Sequence, residues 1–149
     1  MGKDLRILIG CCMVIMGALV LVVGVESHGV LRHIVQTSPL WIAVVLGIRR
    51  SALATWAALP CLAIWLFLMI AILLYVLGWA QILFIRGTFT PVEIAMTVLV
   101  AIASLAGIIV SLRTRSGAGA LRTIAIMSLV TILQVGAIAL SFLPSIAHR

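Results

Sequence analysis

The sequence predicts an all-α integral membrane protein with four transmembrane helices, and two observations carry that prediction. Hydrophobic residues make up 65% of the 149-residue chain and charged residues only 9%, whereas a soluble domain has about 25% charged residues. Four stretches are apolar over the roughly 20 residues that a helix needs to cross the hydrocarbon core of a bilayer. We expect these helices at about 5–25, 57–79, 91–112 and 121–143, within a single transmembrane helical domain of residues 1–149.

The first predicted helix follows Lys3 and Arg6 and stays apolar as far as Val25. Its apolar run of 19 residues is longer than the core of a secretory signal peptide, which has about 7–15 residues, and no Ala-x-Ala cleavage site follows it. The sequence therefore predicts an uncleaved spanning helix.

The second predicted helix lies in residues 51–79, a stretch without any charged residue. Trp56 and Trp79 are 23 positions apart, which is about 35 Å along a helix. This length matches the hydrocarbon slab plus the interfacial layers in which tryptophan concentrates. Pro60 is expected to kink this helix or to mark its first turn.

The third predicted helix opens with the sequence Thr-Pro-Val-Glu at residues 90–93. Thr90 can cap the free amides, the proline suits the first helical position, and Glu93 completes a capping box. Arg113 and Arg115 mark the end of this helix, and a link rich in glycine and alanine separates it from the fourth helix.

Residues 29–50 are predicted to be an amphipathic, half-inserted segment. On a helical wheel the polar and apolar side chains separate, with His28, Arg32, His33 and Gln36 opposite Val30, Leu31, Ile34 and Val35. The apolar run after Pro39 rises only about 15 Å before Arg49 and Arg50, which is too short to cross. The polar residues from Gln36 to Pro39 would also leave polar groups near the hydrocarbon.

The distribution of basic residues favours an alternative with five crossings. Four crossings place 4 basic residues on the side of the termini and 6 on the opposite side, whereas five crossings give 7 against 3 with the N-terminus in the cytoplasm. We expect four crossings, with both termini outside and the loops at 28–50 and 113–122 in the cytoplasm, and keep five as the alternative.

Two series of small residues predict faces for helix packing. Gly10, Gly17 and Gly24 recur every seven positions in the first helix, and Ala103, Gly107 and Ser111 recur every four in the third. Small residues let helix backbones approach each other closely in lipid. We expect these contacts to lie within one chain, although contacts between copies would use the same pattern.

The basic residues predict lipid headgroups as partners. The net charge of +7 comes from short clusters between apolar runs, which is typical of binding to anionic lipids at a membrane surface and not of nucleic-acid binding. The residues expected at headgroups are Arg32, Arg49, Arg50, Arg113, Arg115 and Arg122.

Residues 7–25, 51–85, 94–112 and 123–147 contain no Asp, Glu, Lys, Arg or His, which disfavours proton-coupled transport and haem binding. We expect no catalytic residue, cofactor or metal. The three cysteines, Cys11, Cys12 and Cys61, are interpreted as small hydrophobic residues. Thr131 and Gln134 are polar groups within the fourth helix, where they would bond to another helix or contact a solute.

The sequence thus favours a bacterial multi-pass protein of the cell (inner or plasma) membrane that is a non-catalytic subunit or scaffold of a membrane complex. Its partner would be another membrane protein or further copies of itself. The alternative is an oligomeric channel or carrier for a small neutral solute, guided by Ser104, Thr131 and Gln134. A third hypothesis is a membrane enzyme with chemistry around His28, Arg32 and His33.

Overall fold

The computed structural model describes residues 2–79, 89–114, 117–143 and 146, and every regular element in them is helical. In chain order the elements are α1 (Lys3–Gly17), a π-helical turn (Ala18–Val23), α2 (Gly24–Glu26), α3 (Val30–Thr37), α4 (Leu40–Ile48), α5 (Ala54–Val76), α6 (Pro91–Arg113) and α7 (Ala120–Ser141). The first three elements form one continuous helix, Lys3–Glu26, which we call the N-terminal helix.

Four helices are long and apolar enough to span a bilayer: the N-terminal helix, α5, α6 and α7. This confirms the four long helices predicted from the sequence, with ends that differ from the prediction by about three residues at most. Pro60 lies inside α5 and not in its first turn. The predicted capping box is also confirmed, because the Glu93 amide donates to the Thr90 hydroxyl (3.2 Å) and the Thr90 amide donates to the Glu93 carboxylate (2.8 Å).

The segment between the N-terminal helix and α5 folds as two short helices, α3 and α4, which meet at an angle of 54°. We call α3 and α4 the bent pair. At its start, a Cβ added to Gly24 would lie 3.1 Å from Val30 Cα, and at its end, a Cβ added to Gly47 would lie 2.9 Å from Ile9 and 3.7 Å from Leu5. The bent pair therefore returns along the N-terminal helix, from its end almost to its beginning.

Helix α3 is oriented opposite to an amphipathic helix on the surface of a soluble protein, whose polar side faces water. Leu31 and Ile34 are exposed, whereas Gln36 is 8% exposed and Arg32 and His33 are half-buried. The polar side of the amphipathic pattern thus faces the protein interior, and part of its apolar side faces outward.

Helix α6 packs between the N-terminal helix and α5. A Cβ added to Gly107 would lie 2.8 Å from Leu62 of α5 and 3.5 Å from Cys11 of the N-terminal helix. These three residues lie six to eight positions from one end of their helices, so the N-terminal helix and α5 start at the end of the bundle where α6 finishes. Helix α7 packs on α5 and α3 and is the least buried of the four long helices.

The turns that end two helices use side-chain-bearing residues in the left-handed conformation. Arg50 has φ 54° and follows α4, and His28 has φ 53° and follows the N-terminal helix. In both turns two amides reach back, from Arg50 to Gly47 and from Ser51 to Leu46 in the first case. This is the Schellman pattern, which usually has glycine at the left-handed position.

Candidate functional site

The junction of α3 and α4 is a break in a helix, and it is caused by Pro39. Proline has no amide hydrogen, so the carbonyl of Val35, four residues earlier, loses its helical partner. Ser38 replaces that partner, because its hydroxyl donates to Val35 O at 2.8 Å and its own amide lies 3.3 Å from the same oxygen.

Two further side chains bond to carbonyls beside the break. The Thr37 hydroxyl donates to His33 O at 2.8 Å and is 3.4 Å from Ile34 O. Gln134 of α7 donates from Nε2 to Gln36 O at 2.9 Å. The residues that interrupt the helix, with one residue of α7, therefore also bond to carbonyl groups on the α3 side of the interruption.

Gln36, Gln134 and Ser141 form a buried polar network between α3 and α7. Gln36 donates from Nε2 to the Ser141 hydroxyl at 2.9 Å, and that hydroxyl donates to Ile138 O at 2.6 Å. Gln134 and Ser141 are fully buried. Gln134 Oε1 is buried and has no hydrogen-bond partner among the described residues, so within them the network has one free acceptor. Sequence reasoning missed Gln36 and Ser141, although Gln36 stood on the polar side of the helical wheel.

A groove of about 320 Å³ lies on the other side of the break, between the N-terminal helix and the bent pair. Its lining is mostly apolar and comprises Met16, Gly17, Val20, Ile34, Thr37, Ser38 and Trp41. The π-helical turn begins directly after Gly17. Two irregular helix segments therefore border this groove, the π-helical turn and the proline break, and π-helical turns are frequent at functional sites.

The structure separates the polar residues predicted as solute contacts. Gln134 is fully buried in the network with Gln36, whereas Thr131 is exposed and donates to Met127 O in its own helix at 2.7 Å. Ser104 is fully buried in α6, and its hydroxyl has no hydrogen-bond partner in the part of the chain that the structure describes. Thr131 and Gln134 therefore face different surroundings.

The predicted packing residues also divide into two groups. Ala103, Gly107 and Ser111 are buried on one face of α6. Gly24 is buried against Val30, but no described residue has an atom within 4 Å of a Cβ added to Gly10 or Gly17. The π-helical turn between Gly17 and Gly24 explains this difference, because its wider turn changes the direction in which later residues face.

Arg32 and His33 are half-buried at the α3 end of the bundle. His33 donates from Nδ1 to Gly29 O at 2.9 Å. The Arg32 guanidinium lies 4.6 Å from the ring centre of Phe142, within the range of cation–π attraction. His28 is exposed in the turn before α3. Among the described residues, no group of three His, Cys, Asp or Glu side chains is placed to hold a metal.

The fold brings basic residues from four helix ends to one end of the bundle, which we call the basic end. They are exposed and comprise Lys3, Arg6, Arg49, Arg50, Arg113 and Arg122. Arg115, which was also predicted at headgroups, lies outside the described residues. Arg32, which was predicted at headgroups with the others, lies near the opposite end beside Phe142.

Comparisons with protein-family models, with curated proteins and with solved structures find no match to this chain.

Proposed function

We propose that this chain is a five-crossing protein of the cell membrane that serves as a non-catalytic subunit or scaffold of a membrane complex. The bent pair supplies the fifth crossing, in place of the half-inserted segment expected from the sequence. The contacts of Gly24 with Val30 and of Gly47 with Ile9 support this, because they extend the bent pair along nearly the whole N-terminal helix.

The hydrogen bonds at the break remove the main objection to a crossing there. The polar residues from Gln36 to Pro39 argued against burial in hydrocarbon, but Thr37 and Ser38 bond to nearby carbonyls and Gln36 bonds to α7. Broken helices occur at membrane depth where other groups satisfy the freed backbone. The outward position of Leu31 and Ile34 agrees with lipid contact.

The basic end fits the cytoplasmic side of this arrangement. Five crossings place 7 basic residues at that end and 3 at the other, counting from the full sequence. Cytoplasmic loops carry an excess of lysine and arginine, so we assign the N-terminus and the Arg49–Arg50 turn to the cytoplasm.

Cysteine labelling in intact cells distinguishes five crossings from four. Ser27 precedes α3 and faces outside with five crossings but inside with four, whereas Ser51 is cytoplasmic in both. With Cys11, Cys12 and Cys61 replaced by alanine, we expect an impermeant maleimide to label Ser27→Cys and not Ser51→Cys. Labelling of neither position before the membrane is permeabilised would contradict the five-crossing proposal.

The observation that carries the subunit role is the outward position of Ser128 and Thr131 on α7. In α5 and α6 all serine and threonine side chains are buried, namely Thr55, Thr97, Ser104 and Ser111. Ser128 and Thr131 instead border an open depression of about 500 Å³ on the outer surface of α7. Small polar residues are enriched where membrane helices contact each other, so a partner helix is proposed to pack there.

A photo-crosslinking residue at position 128 tests this role. We expect a discrete crosslinked product in native membranes and none from position 102, where Ile102 of α6 is equally turned outward. The double change Ser128→Leu and Thr131→Leu should release the partner, as seen by native mass spectrometry of the extracted complex. A lone monomer from the wild-type protein in mild detergent would count against the role.

A second candidate function is a carrier for a small neutral solute. The free acceptor Gln134 Oε1 beside a broken helix favours it, because carriers bind substrates at discontinuous helices near the middle of the membrane. Solute flux into proteoliposomes that is lost in Gln134→Leu and kept in Thr131→Val would favour this candidate over the subunit role.

A further inference from the structure

The groove beside the break lies between the N-terminal helix and the bent pair, and both the N-terminal helix and α4 run from it to the basic end. We call the strip between these two helices, from the groove to the basic end, the furrow. Along it lie Arg6, Gly10, Met13 and Gly17 on the first helix and Trp41, Val45 and Ile48 on the second. We propose that the furrow binds one anionic phospholipid of the cytoplasmic leaflet, which rests on the five-crossing arrangement proposed above.

The spacing of these residues places each set along one side of its helix. Arg6, Gly10 and Gly17 are separated by four and seven positions and so lie on one side of the helix. Trp41, Val45 and Ile48, separated by four and three positions, are exposed along one side of α4. Gly47 lies between the two helices and contacts Ile9, so that it closes the floor of the furrow.

The length of the furrow matches one acyl chain. Gly17 lies eleven residues beyond Arg6, which corresponds to about 16 Å along a helix. Half of the hydrocarbon core is about 15 Å thick. A lipid with its phosphate near Arg6 would therefore place the end of its chain in the groove beside Gly17 and Trp41. Among the described residues, nothing lies within 4 Å of a Cβ added to Gly10 or Gly17, so the acyl chain can approach the helix backbone at both positions, with the exposed side chain of Met13 between them.

The charges at the basic end select an anionic headgroup. Arg6, Arg49 and Arg50 are exposed at the level where the furrow ends, and Lys3 lies one turn away. Asp4 is the one acidic side chain at this end of the bundle. The other two in the sequence, Glu26 and Glu93, lie at the opposite end. Arginine clusters at the cytoplasmic surface bind anionic lipid headgroups.

The same charges disfavour a second copy of the chain as occupant. Two copies in one membrane with the same orientation would bring their Arg6, Arg49 and Arg50 side chains together across the furrow. Like charges at such distances repel, whereas a phosphate between them would neutralise the cluster.

Quenching of Trp41 fluorescence tests the proposal. The full-length protein is reconstituted in phosphatidylcholine vesicles with a minor fraction of chain-brominated phosphatidylglycerol, and in matched vesicles whose brominated lipid is phosphatidylcholine. The Trp41→Phe variant identifies the share of the emission that comes from Trp41. We expect the Trp41 emission to be quenched several-fold more by the brominated phosphatidylglycerol.

Two pairs of variants separate the furrow from general attraction to the basic end. Arg49→Gln with Arg50→Gln should weaken the selective quenching about fivefold for each arginine removed. Arg113→Gln with Arg122→Gln removes the same charge from α6 and α7 and should leave it unchanged. Gly17→Leu changes no charge and should abolish the selective quenching by filling the groove. The matched Gly136→Leu on α7 should leave the selective quenching unchanged.

Other results would contradict the proposal, and each one identifies the part of it that is wrong. Equal quenching by the two lipids, or equal loss in both arginine pairs, would show that the furrow selects no anionic lipid. Quenching that falls as the protein-to-lipid ratio rises would show a second copy in the furrow. Failure of the protein to float with the vesicles would instead contradict its placement in the membrane.

Discussion

The amide group of Gln134 donates a hydrogen bond of 2.9 Å to the carbonyl oxygen of Gln36, a residue 98 positions earlier in the chain. This bond joins α7 to the break between α3 and α4. Membrane helices lack a hydrophobic force that drives them together, so interhelical hydrogen bonds and close packing hold them.

Replacing Gln134 by leucine should therefore destabilise the fold. The change removes the donor to Gln36 O and leaves the side chain volume similar, and interhelical hydrogen bonds in membranes contribute about 0.6–1.7 kcal/mol. We expect a loss of about 1 kcal/mol in the free energy of unfolding, measured by sodium dodecyl sulfate titration in mixed micelles. Thr131→Val is the matched control, because Thr131 bonds only within its own helix. Equal losses in both variants would contradict the assigned role.

A methyl group at Gly107 should be poorly tolerated. The added Cβ would lie 2.8 Å from Cδ1 of Leu62, a side chain that is fully buried. Overpacking of this kind costs about 1–3 kcal/mol, so Gly107→Ala should lower the free energy of unfolding by about that amount. Gly136→Ala serves as the control, because nothing lies within 4 Å of its added Cβ. The same detergent titration compares them, and a Gly107→Ala protein as stable as Gly136→Ala would contradict the expected overpacking against Leu62.

The role of Ser38 at the break can be measured in two backgrounds. Ser38→Ala removes the hydroxyl that donates to Val35 O, and a hydrogen bond of this kind contributes about 1 kcal/mol. In the Pro39→Ala background the alanine amide can donate to Val35 O instead. We therefore expect Ser38→Ala to cost about 1 kcal/mol with Pro39 present and much less without it. Additive effects in this double-mutant cycle would show that Ser38 does not replace the missing amide.

Arg50→Gly should stabilise the protein. Arg50 has φ 54°, a conformation that costs a side-chain-bearing residue about 1–2 kcal/mol and glycine almost nothing. We expect the free energy of unfolding to rise by about 1 kcal/mol. Arg49→Gly removes the same charge from the neighbouring position, where φ is −74°, and should not stabilise. A higher stability in both variants would point to relief of charge repulsion as the cause.

The long helices and the Thr90 cap were predictable from the sequence, because length, hydropathy and capping chemistry are local properties. The path of the bent pair was not. An amphipathic pattern says which residues share a face, but the same pattern fits a helix on the membrane surface and a helix whose polar side points into a protein. The partners of Gln36, which decide between these arrangements, lie 98 and 105 residues away in the chain.

The glycine series shows a second limit of sequence reasoning. Equal spacing of Gly10, Gly17 and Gly24 implies a shared face only in a regular α-helix. The π-helical turn at Ala18–Val23 interrupts that regularity. No residue in this apolar run predicts such a turn. Likewise, Thr131 and Gln134 are close in sequence, yet Gln134 bonds to α3 whereas Thr131 is exposed.

The distance in sequence between Gln36 and its partners has a consequence for biosynthesis in the proposed topology. Ser141 is synthesised 105 residues after Gln36, roughly 5–20 s later at a ribosomal speed of about 5–20 residues per second. During that interval the nascent hairpin exposes an unbonded amide and carbonyl. We expect the membrane insertion machinery to retain this hairpin until α7 emerges, and a chain truncated before α7 to be a substrate for quality-control proteolysis.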